Sequence, residues 1–512
     1  MLFLMSPQIF YLNGPLELTR HITNIIRLCL SHGFIPQVVL MCSLLPMVKD
    51  SFGDITKSDN CRAIASGCLI LKIIDLVVLL LEGDKLSSDC LQFAYQAKSS
   101  TALCSWTATA IIDHFTRRGA PLYGSAMDMS KAFDLVKWSK LFGVLVERKV
   151  DPIFLRLLVY IYCNQKCTVS WCGAESDSFT VKNGVRQGGV SSGIFFAVYI
   201  DDLLALLRKS KLGCHIKGIF YGALIYADDI LLLSASRGGL QEMVKLCQKF
   251  VSTRNLKFGT NVCPEKSKTK CIVFSKKLRN VSEFKNILLN GNTLPWVRKK
   301  QHLGHTLEAD NSMRTDIVQK RGMFISQINS LLQEFHYVSA DILMNLVHTY
   351  ALCMYGSNLW DIRSPNCEKI YSSYNVAIRN IMNLDRKTHR FLIEPLSGKL
   401  HLKTLLAARY VGFYKSVTEC NKFPVRYLMR LAESDHRTVI GRTLHWLNDI
   451  CGVSDSSMLT PSLVKRKLRY KPVDQEEAWK VNVAKEIVES IKDTDMLKDF
   501  SKEELRTILD FV

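Results

Sequence analysis

Three aspartates stand where carboxylates could converge on a cation: Asp128 in AMDMSKAFD, and Asp228 and Asp229 a hundred residues later in IYADDILLL. Converging carboxylates supply the hard oxygen ligands that Mg2+ requires. The chemistry such a set serves is nucleotidyl transfer: one ion lowers the pKa of an attacking 3′-hydroxyl, and a second stabilises the departing pyrophosphate. Adjacent aspartates between apolar runs repel each other unless a cation compensates them, although a solvated turn is the other reading of the pair. Thiols and imidazoles are less organised. The 17 cysteines include no CxxC pair, and Cys163, Cys167 and Cys172 lack a histidine at zinc-finger distance, so reduced, mostly buried thiols are expected. His302 and His305 could join a metal site, but two histidines in a loop-to-strand segment need no metal.

The elements around the aspartates must bring them together. Periodicity predicts helices over 16–48, 64–82 and 102–118, and a short buried strand ending at Asp128. Ser130 is a candidate cap for a helix running from Lys131 towards Glu147. TVSWCG and SFTVKNG alternate like a hairpin, and a long apolar helix is expected over 192–207. The apolar runs flanking Asp228 and Asp229 predict a tight hairpin whose turn residues are aspartates, which tolerate unusual backbone angles. Helices mixed with hairpins in this way indicate an α+β fold rather than a doubly wound sheet. From Met313 onward the pattern is mainly helical, with basic clusters at Arg386, Lys387 and His389 and in VKRKLRYK.

At 512 residues the chain exceeds the usual size of one core. The expected divisions are 1–123, 124–310, 311–452 and 453–512, the last boundary lying in the Ser-, Thr- and Pro-bearing stretch 452–461. With 48% apolar and 22% charged residues, most of the chain should fold. Lysine and arginine outnumber acidic residues 67 to 47, a net charge of +20, which suits a partner with a phosphate backbone but does not by itself demand one. MLFLMSPQIFYL lacks the basic start of a secretory signal, so the chain is expected to stay inside the cell. The most apolar stretch, 68–81, carries Lys72 and Asp75 and is too short to span a bilayer; a buried helix, and no membrane partner, is expected.

In order along the chain, AMDMSKAFD, NGVRQGGVSSGIFFAVYIDDL, YADDILLLS, KSKTKCIVFS and HLGH resemble the reverse transcriptases of non-LTR (LINE-type) retrotransposons. Five ordered blocks spanning residues 124 to 305 are far more specific than YADD or QG alone. The resemblance implies a right-hand polymerase with fingers, palm, thumb and a mostly helical carboxy-terminal extension. It implies an RNA-directed DNA polymerase that uses two Mg2+ ions, with Mn2+ as a substitute, to add dNTPs to a DNA primer or target on an RNA template.

Residue by residue, it implies Asp128 and Asp228 as principal metal ligands with Asp229 beside them. Phe133 matches the ring that lies under the incoming sugar and leaves no room for a 2′-hydroxyl. Gln187 and Gly188 match the block lining the template and nucleotide pocket, where glycine permits close backbone approach. Lys268, or Lys266 by a shifted alignment, matches the lysine that assists the leaving phosphate. NCRAI resembles the fingers motif N-Y-R-P-I, making Arg62 a contact for the triphosphate or template backbone. HLGH resembles the hairpin that positions the primer end.

Two departures stand out. QFAYQAKSST carries Gln96 and Ser99 where the family has arginines, which removes cations near phosphates. Ser192 and Gly193 replace a serine–proline pair, which would leave the following helix less rigid at its start. The sequence begins too late to contain the endonuclease such elements encode, so it is expected to be a truncated copy. The alternative to an active enzyme is an impaired or domesticated RNA-binding relative. Elements of this kind make their DNA at the chromosome, which points to the nucleus, although no targeting signal is evident; oligomeric state is not readable.

Overall fold

The computed structural model describes residues 16–261, 263, 267–277, 284–469 and 480–483. It forms two compact units, one comprising 1–100, 123–271 and 284–296, the other 101–122, 272–283 and 297–512. Mixed helix and antiparallel strand give the α+β class that the sequence predicts.

The first unit opens with helix α1 (Leu16–His32), followed by strands β1 (Met41–Val48) and β2 (Cys61–Gly67) and helix α2 (Leu69–Glu82). Residues 41–48 and 61–67 are therefore strands, not ends of helices. The MCSLLPMV run has too few polar residues to show a period of two, and its pairing partners decide the outcome. β1 pairs antiparallel with β2, Met47 opposite Arg62, and parallel with β4 (Lys166–Trp171), Cys42 opposite Cys167. The predicted hairpin is present, with Cys167 of β4 opposite Phe179. Helix α2 buries Leu71, Ile74, Asp75 and Val78, but Leu80 on its far face is 82% exposed, so the segment is half-buried rather than fully buried.

A second sheet carries the aspartates. β3 (Leu122–Asp128) is followed by helices α3 (Trp138–Glu147), α4 (Pro152–Asn164), α5 (Ser192–Ile200) and α6 (Asp202–Lys209), then by β5 (Ala223–Tyr226), β6 (Asp229–Ser234) and α7 (Arg237–Thr253). With β7 (Lys270–Phe274) at the edge, the order is β7-β3-β6-β5. The apolar helix expected over 192–207 is broken near Asp201, whose carboxylate accepts from the Asp89 amide at 2.7 Å and the Arg148 guanidinium at 2.6 Å. No helix starts at Lys131: that residue is left-handed (φ +49°), residues 131–135 form turns, and the helix waits until Trp138. The sheet interior is apolar, with Ile225, Ile230, Leu232, Met127 and Ala126 all buried. The unit ends in the hairpin β8 (Ile287–Leu289) and β9 (Asn292–Leu294).

The second unit begins with helix Thr101–Thr116 and contains hairpin β10 (Lys299–His302) and β11 (His305–Glu308), helix α8 (Arg314–Glu334), and further helices to Leu468. The HLGH block is a two-residue hairpin whose turn, Leu303 and Gly304, has positive φ at both positions. Its core is aromatic: Phe324, Trp360, Tyr371, Tyr374 and Tyr410 are all fully buried. Residues 452–461 hold a left-handed cap at Gly452 and a short turn before the helix Pro461–Leu468. All 17 cysteines are free thiols, ten of them buried, as the absence of a pairing pattern predicts. No helix among the described residues is long and apolar enough to cross a membrane.

Candidate active site

Strand β3 delivers Asp128 to the end of the second sheet, and the β5–β6 hairpin brings the second aspartate to it. Asp229 pairs in register with Asp128 across the β3–β6 ladder and with Tyr226 across the hairpin. The two-residue turn is therefore Ala227 and Asp228, not the two aspartates. The strained position belongs to Ala227, at φ +53°, and Asp229 is the first residue of the return strand. What holds the turn is Gln92: its buried Oε1 accepts from the amides of Ala227 at 3.2 Å and Ala94 at 3.0 Å. Residues 91–93 run along β5, the Phe93 amide donating to the Ile225 carbonyl at 2.8 Å and the Ile225 amide to the Leu91 carbonyl at 3.0 Å.

Asp128 is fixed through its backbone. Its carbonyl accepts from Gly259 at 2.8 Å, and Ser130 donates to the Lys257 carbonyl at 2.9 Å. The same loop carries Lys268, whose Nζ lies 4.0 Å from the Asp128 carboxylate. Lys266 lies outside the described residues.

Asp128 and Asp228 line one cavity of about 1300 Å³ with Arg62, Phe133, Gln187, Gly188 and Lys268. Of the eight residues singled out from the sequence, seven meet here; only Asp229 is not on its wall. Phe133 stacks on Phe196 with ring centroids 4.7 Å apart and planes 18° from parallel. Gln187 donates to the Asp134 carboxylate at 3.1 Å, and its carbonyl accepts from Ala65 of β2 at 2.6 Å. At Gly188 (φ +109°) a Cβ would lie 2.8 Å from the Ala65 carbonyl oxygen, so only glycine allows this approach. Val185 donates to the Phe133 carbonyl at 2.9 Å, tying the QG loop to the turn after Asp128.

The electrostatics favour a cation between the aspartates. Burial pushes the Asp228 carboxyl above the usual carboxylate range and the Asp128 charge adds to this, with a backbone hydrogen bond, Arg62 and Lys268 only partly offsetting them. Two hard carboxylates lining one cavity suit a divalent ion. No group of three or more ligating side chains converges among the described residues; Mg2+ in polymerase-type sites is held by one or two carboxylates plus substrate phosphates, so the donor set fits it.

Residues 55–307 match the family model of reverse transcriptase (RNA-dependent DNA polymerase). Curated relatives agree. The chain is 27% identical over 163 residues to the retrovirus-related Pol polyprotein from type-2 retrotransposable element R2DM of Drosophila melanogaster, covering 31% of this chain and 15% of that protein. It is 25% identical over 193 residues to the Pol polyprotein from a type-1 element R2 of Nasonia vitripennis (38% and 18%). It is 32% identical over 139 residues to the uncharacterized 149 kDa protein of transposon TX1 of Xenopus laevis (27% and 11%). Residues 55–307 are a reverse-transcriptase domain similar to those of non-LTR retrotransposon polyproteins.

The chain spans less than a fifth of the length of each of these relatives. Among solved structures, apo telomerase from Candida tropicalis matches at 12% identity with a TM-score of 0.40, over 81% of this chain and 74% of that one. The mixed helix and strand content of the chain agrees with the α+β, right-hand polymerase class of the reverse-transcriptase family. Sequence reasoning missed Gln92 and Tyr95, both inside the QFAYQAKSST block, and Arg186, whose guanidinium meets the buried Asp75 carboxylate at 3.3 Å. The signal for Arg186 was the lone acid in the apolar 68–81 stretch. Of the two departures in the other blocks, Gln96 donates to the Ser88 and Asp89 carbonyls at 3.1 and 3.3 Å and does not line the cavity. Gly193 is covered by the ring of Tyr95.

Proposed function

We propose that this cavity adds deoxynucleotides to a primer 3′-end on an RNA template, with Asp128 and Asp228 as the metal-holding pair. The observation that carries this reading is the meeting of both carboxylates with Phe133, Gln187 and Gly188 on one wall while Asp228 stays poorly compensated. Divalent ions, Mg2+ or its substitute Mn2+, would supply activation of the hydroxyl and stabilisation of the pyrophosphate.

The protein's own groups do the rest. Phe133 presents a flat ring to the sugar, which disfavours a ribose 2′-hydroxyl. Gly188 lets the substrate lie against the backbone, and Gln187, held by Asp134, offers donor and acceptor atoms to the pocket. Arg62, on β2, faces the triphosphate or template phosphates. Lys268, beside Asp128, is placed to assist the leaving phosphate. Asp229 supports the hairpin and is a secondary ligand at most. The partners are an RNA template, a DNA primer or target, and dNTPs, with action in the nucleus.

An impaired RNA-binding role is the second reading, and one observation favours it: Gln96 stands where the family has an arginine and serves a loop instead of the cavity. Incorporation of labelled dTTP on poly(rA)·oligo(dT) with Mg2+ separates the two, using Asp228→Ala as the control. Incorporation by the parent and none by the variant supports polymerisation. No incorporation by either, with RNA binding intact, supports the binding reading.

A further inference from the structure

Tyr95 is a bulky residue in a left-handed backbone conformation, φ +56°, where side chains other than glycine and asparagine are seldom found. Such positions persist when the surrounding structure holds them, and they cluster at functional sites. Here the strained backbone swings the Tyr95 ring over Gly193, the second residue of α5. The ring occupies the space of the missing side chain so closely that a Cβ built on Gly193 would overlap three of its carbons.

The ring does not end in the core. Tyr95 is 50% exposed and lines the cavity beside Asp228, Gly188 and Phe133. It meets Phe133 edge-on, with centroids 6.4 Å apart and planes at 72°. Phe133 is backed by the parallel ring of Phe196. The two cavity rings therefore make an apolar corner, a floor and a wall, next to the two aspartates. Burial, with the Asp228 charge added, pushes the Tyr95 phenol above its ordinary range, so the hydroxyl stays protonated beside that carboxylate.

Resting on the function proposed above, the geometry points to Tyr95 as a specificity-determining residue: with Phe133 it forms a two-ring corner that receives the sugar of the incoming nucleotide, and Gly193 is glycine so that the ring can sit there. A flat wall on a second side confines the ribose more than Phe133 alone, so loss of the ring should cost affinity for dNTPs and selectivity against rNTPs.

Four proteins test this: the parent, Tyr95→Ala, Gly193→Ala and the double variant, each measured for KM and kcat with dTTP and with UTP on poly(rA)·oligo(dT). Tyr95→Ala is expected to raise KM for dTTP about tenfold and to lower the dTTP-over-UTP preference by about as much, with a smaller change in kcat. Gly193→Ala should match it, because the new methyl evicts the ring, and the double variant should be no worse than either single one. Tyr95→Phe, which keeps the ring, should recover most of the loss.

Independent, additive effects of the two substitutions would overturn the inference. So would a loss of stability with an unmoved dTTP-over-UTP ratio, since that is what a merely structural tyrosine predicts. If the parent incorporates nothing, the proposed function fails first. The same proteins are then compared by retention of labelled dTTP on the enzyme–primer–template complex, and equal retention by all of them overturns the role of Tyr95.

Discussion

In the first unit, the aspartates at the end of β3 and in the β5–β6 turn line an open cavity, and the Asp228 carboxyl is held above its usual range by burial and by Asp128. In the second unit, charged groups buried as deeply are matched from within. Asp316 accepts the indole N–H of Trp360 at 2.8 Å, and Glu308 accepts from the Thr315 hydroxyl and amide at 2.6 and 3.0 Å. Histidines there are kept neutral: burial, with nearby cations, pushes His302, His348 and His401 down to about 4. The first unit leaves an electrostatic cost at the place where a ligand can relieve it; in the second, the buried carboxylates of Asp316 and Glu308 are met by donors of their own unit.

The difference is sharpest in activity. Asp128→Ala and Asp228→Ala should each lower dTTP incorporation by about a thousandfold or more, while the melting temperature stays level or rises because a like-charge repulsion is gone. A large drop in melting temperature in either variant would break the comparison.

Next in size is Trp360→Ala, which empties a fully buried site and strips Asp316 of its donor. Denaturant unfolding should show a loss of roughly 3–5 kcal/mol. A cost below about 1 kcal/mol would mean that the second unit does not depend on its matched polar groups.

Acid should act on the second unit through its neutral histidines. A histidine with a folded value near 4 and an ordinary unfolded value binds its proton first in the unfolded chain, so stability is full above about pH 6.5 and falls as the pH drops towards 4. For the buried His302 the loss is about 3 kcal/mol at most. Unfolding followed from pH 7 to 4 should show this slope, and His302→Leu should flatten it; an unchanged slope would count against the neutral-histidine account.

The smallest effect is at the hairpin turn. Ala227→Gly removes a left-handed alanine and should stabilise the first unit by about 1 kcal/mol. Destabilisation by that amount would show that the turn does not rely on the Gln92 contact to hold a strained residue.

Much of the site was legible because its residues lie in short blocks whose local patterns are strong. The apolar runs around YADD could hardly be anything but a hairpin, and HLGH has the glycine that a two-residue turn needs. The misreadings occur where neighbours outweigh pattern. Ser130 looked like a cap, yet its amide is drawn to the Lys257 carbonyl and Lys131 turns left-handed, so the helix starts seven residues later at Trp138. Residues 41–48 read as helix because this apolar run shows no alternation although only Cys42 in it is buried; pairing with β2 and with β4, more than a hundred residues on, makes it a strand.

By itself, then, the sequence determined the α+β class, the aspartates and their hairpin, the aromatic residue after the first aspartate, and the glutamine–glycine loop, because each depends on residue type and near neighbours. Only the tertiary structure decided that Asp228 and not Asp229 faces the cavity, that Gln92 braces the turn, and that Tyr95 fills the place left by Gly193. Those outcomes rest on contacts between residues about a hundred or more positions apart, where packing and hydrogen-bond geometry, not local propensity, set the lowest energy.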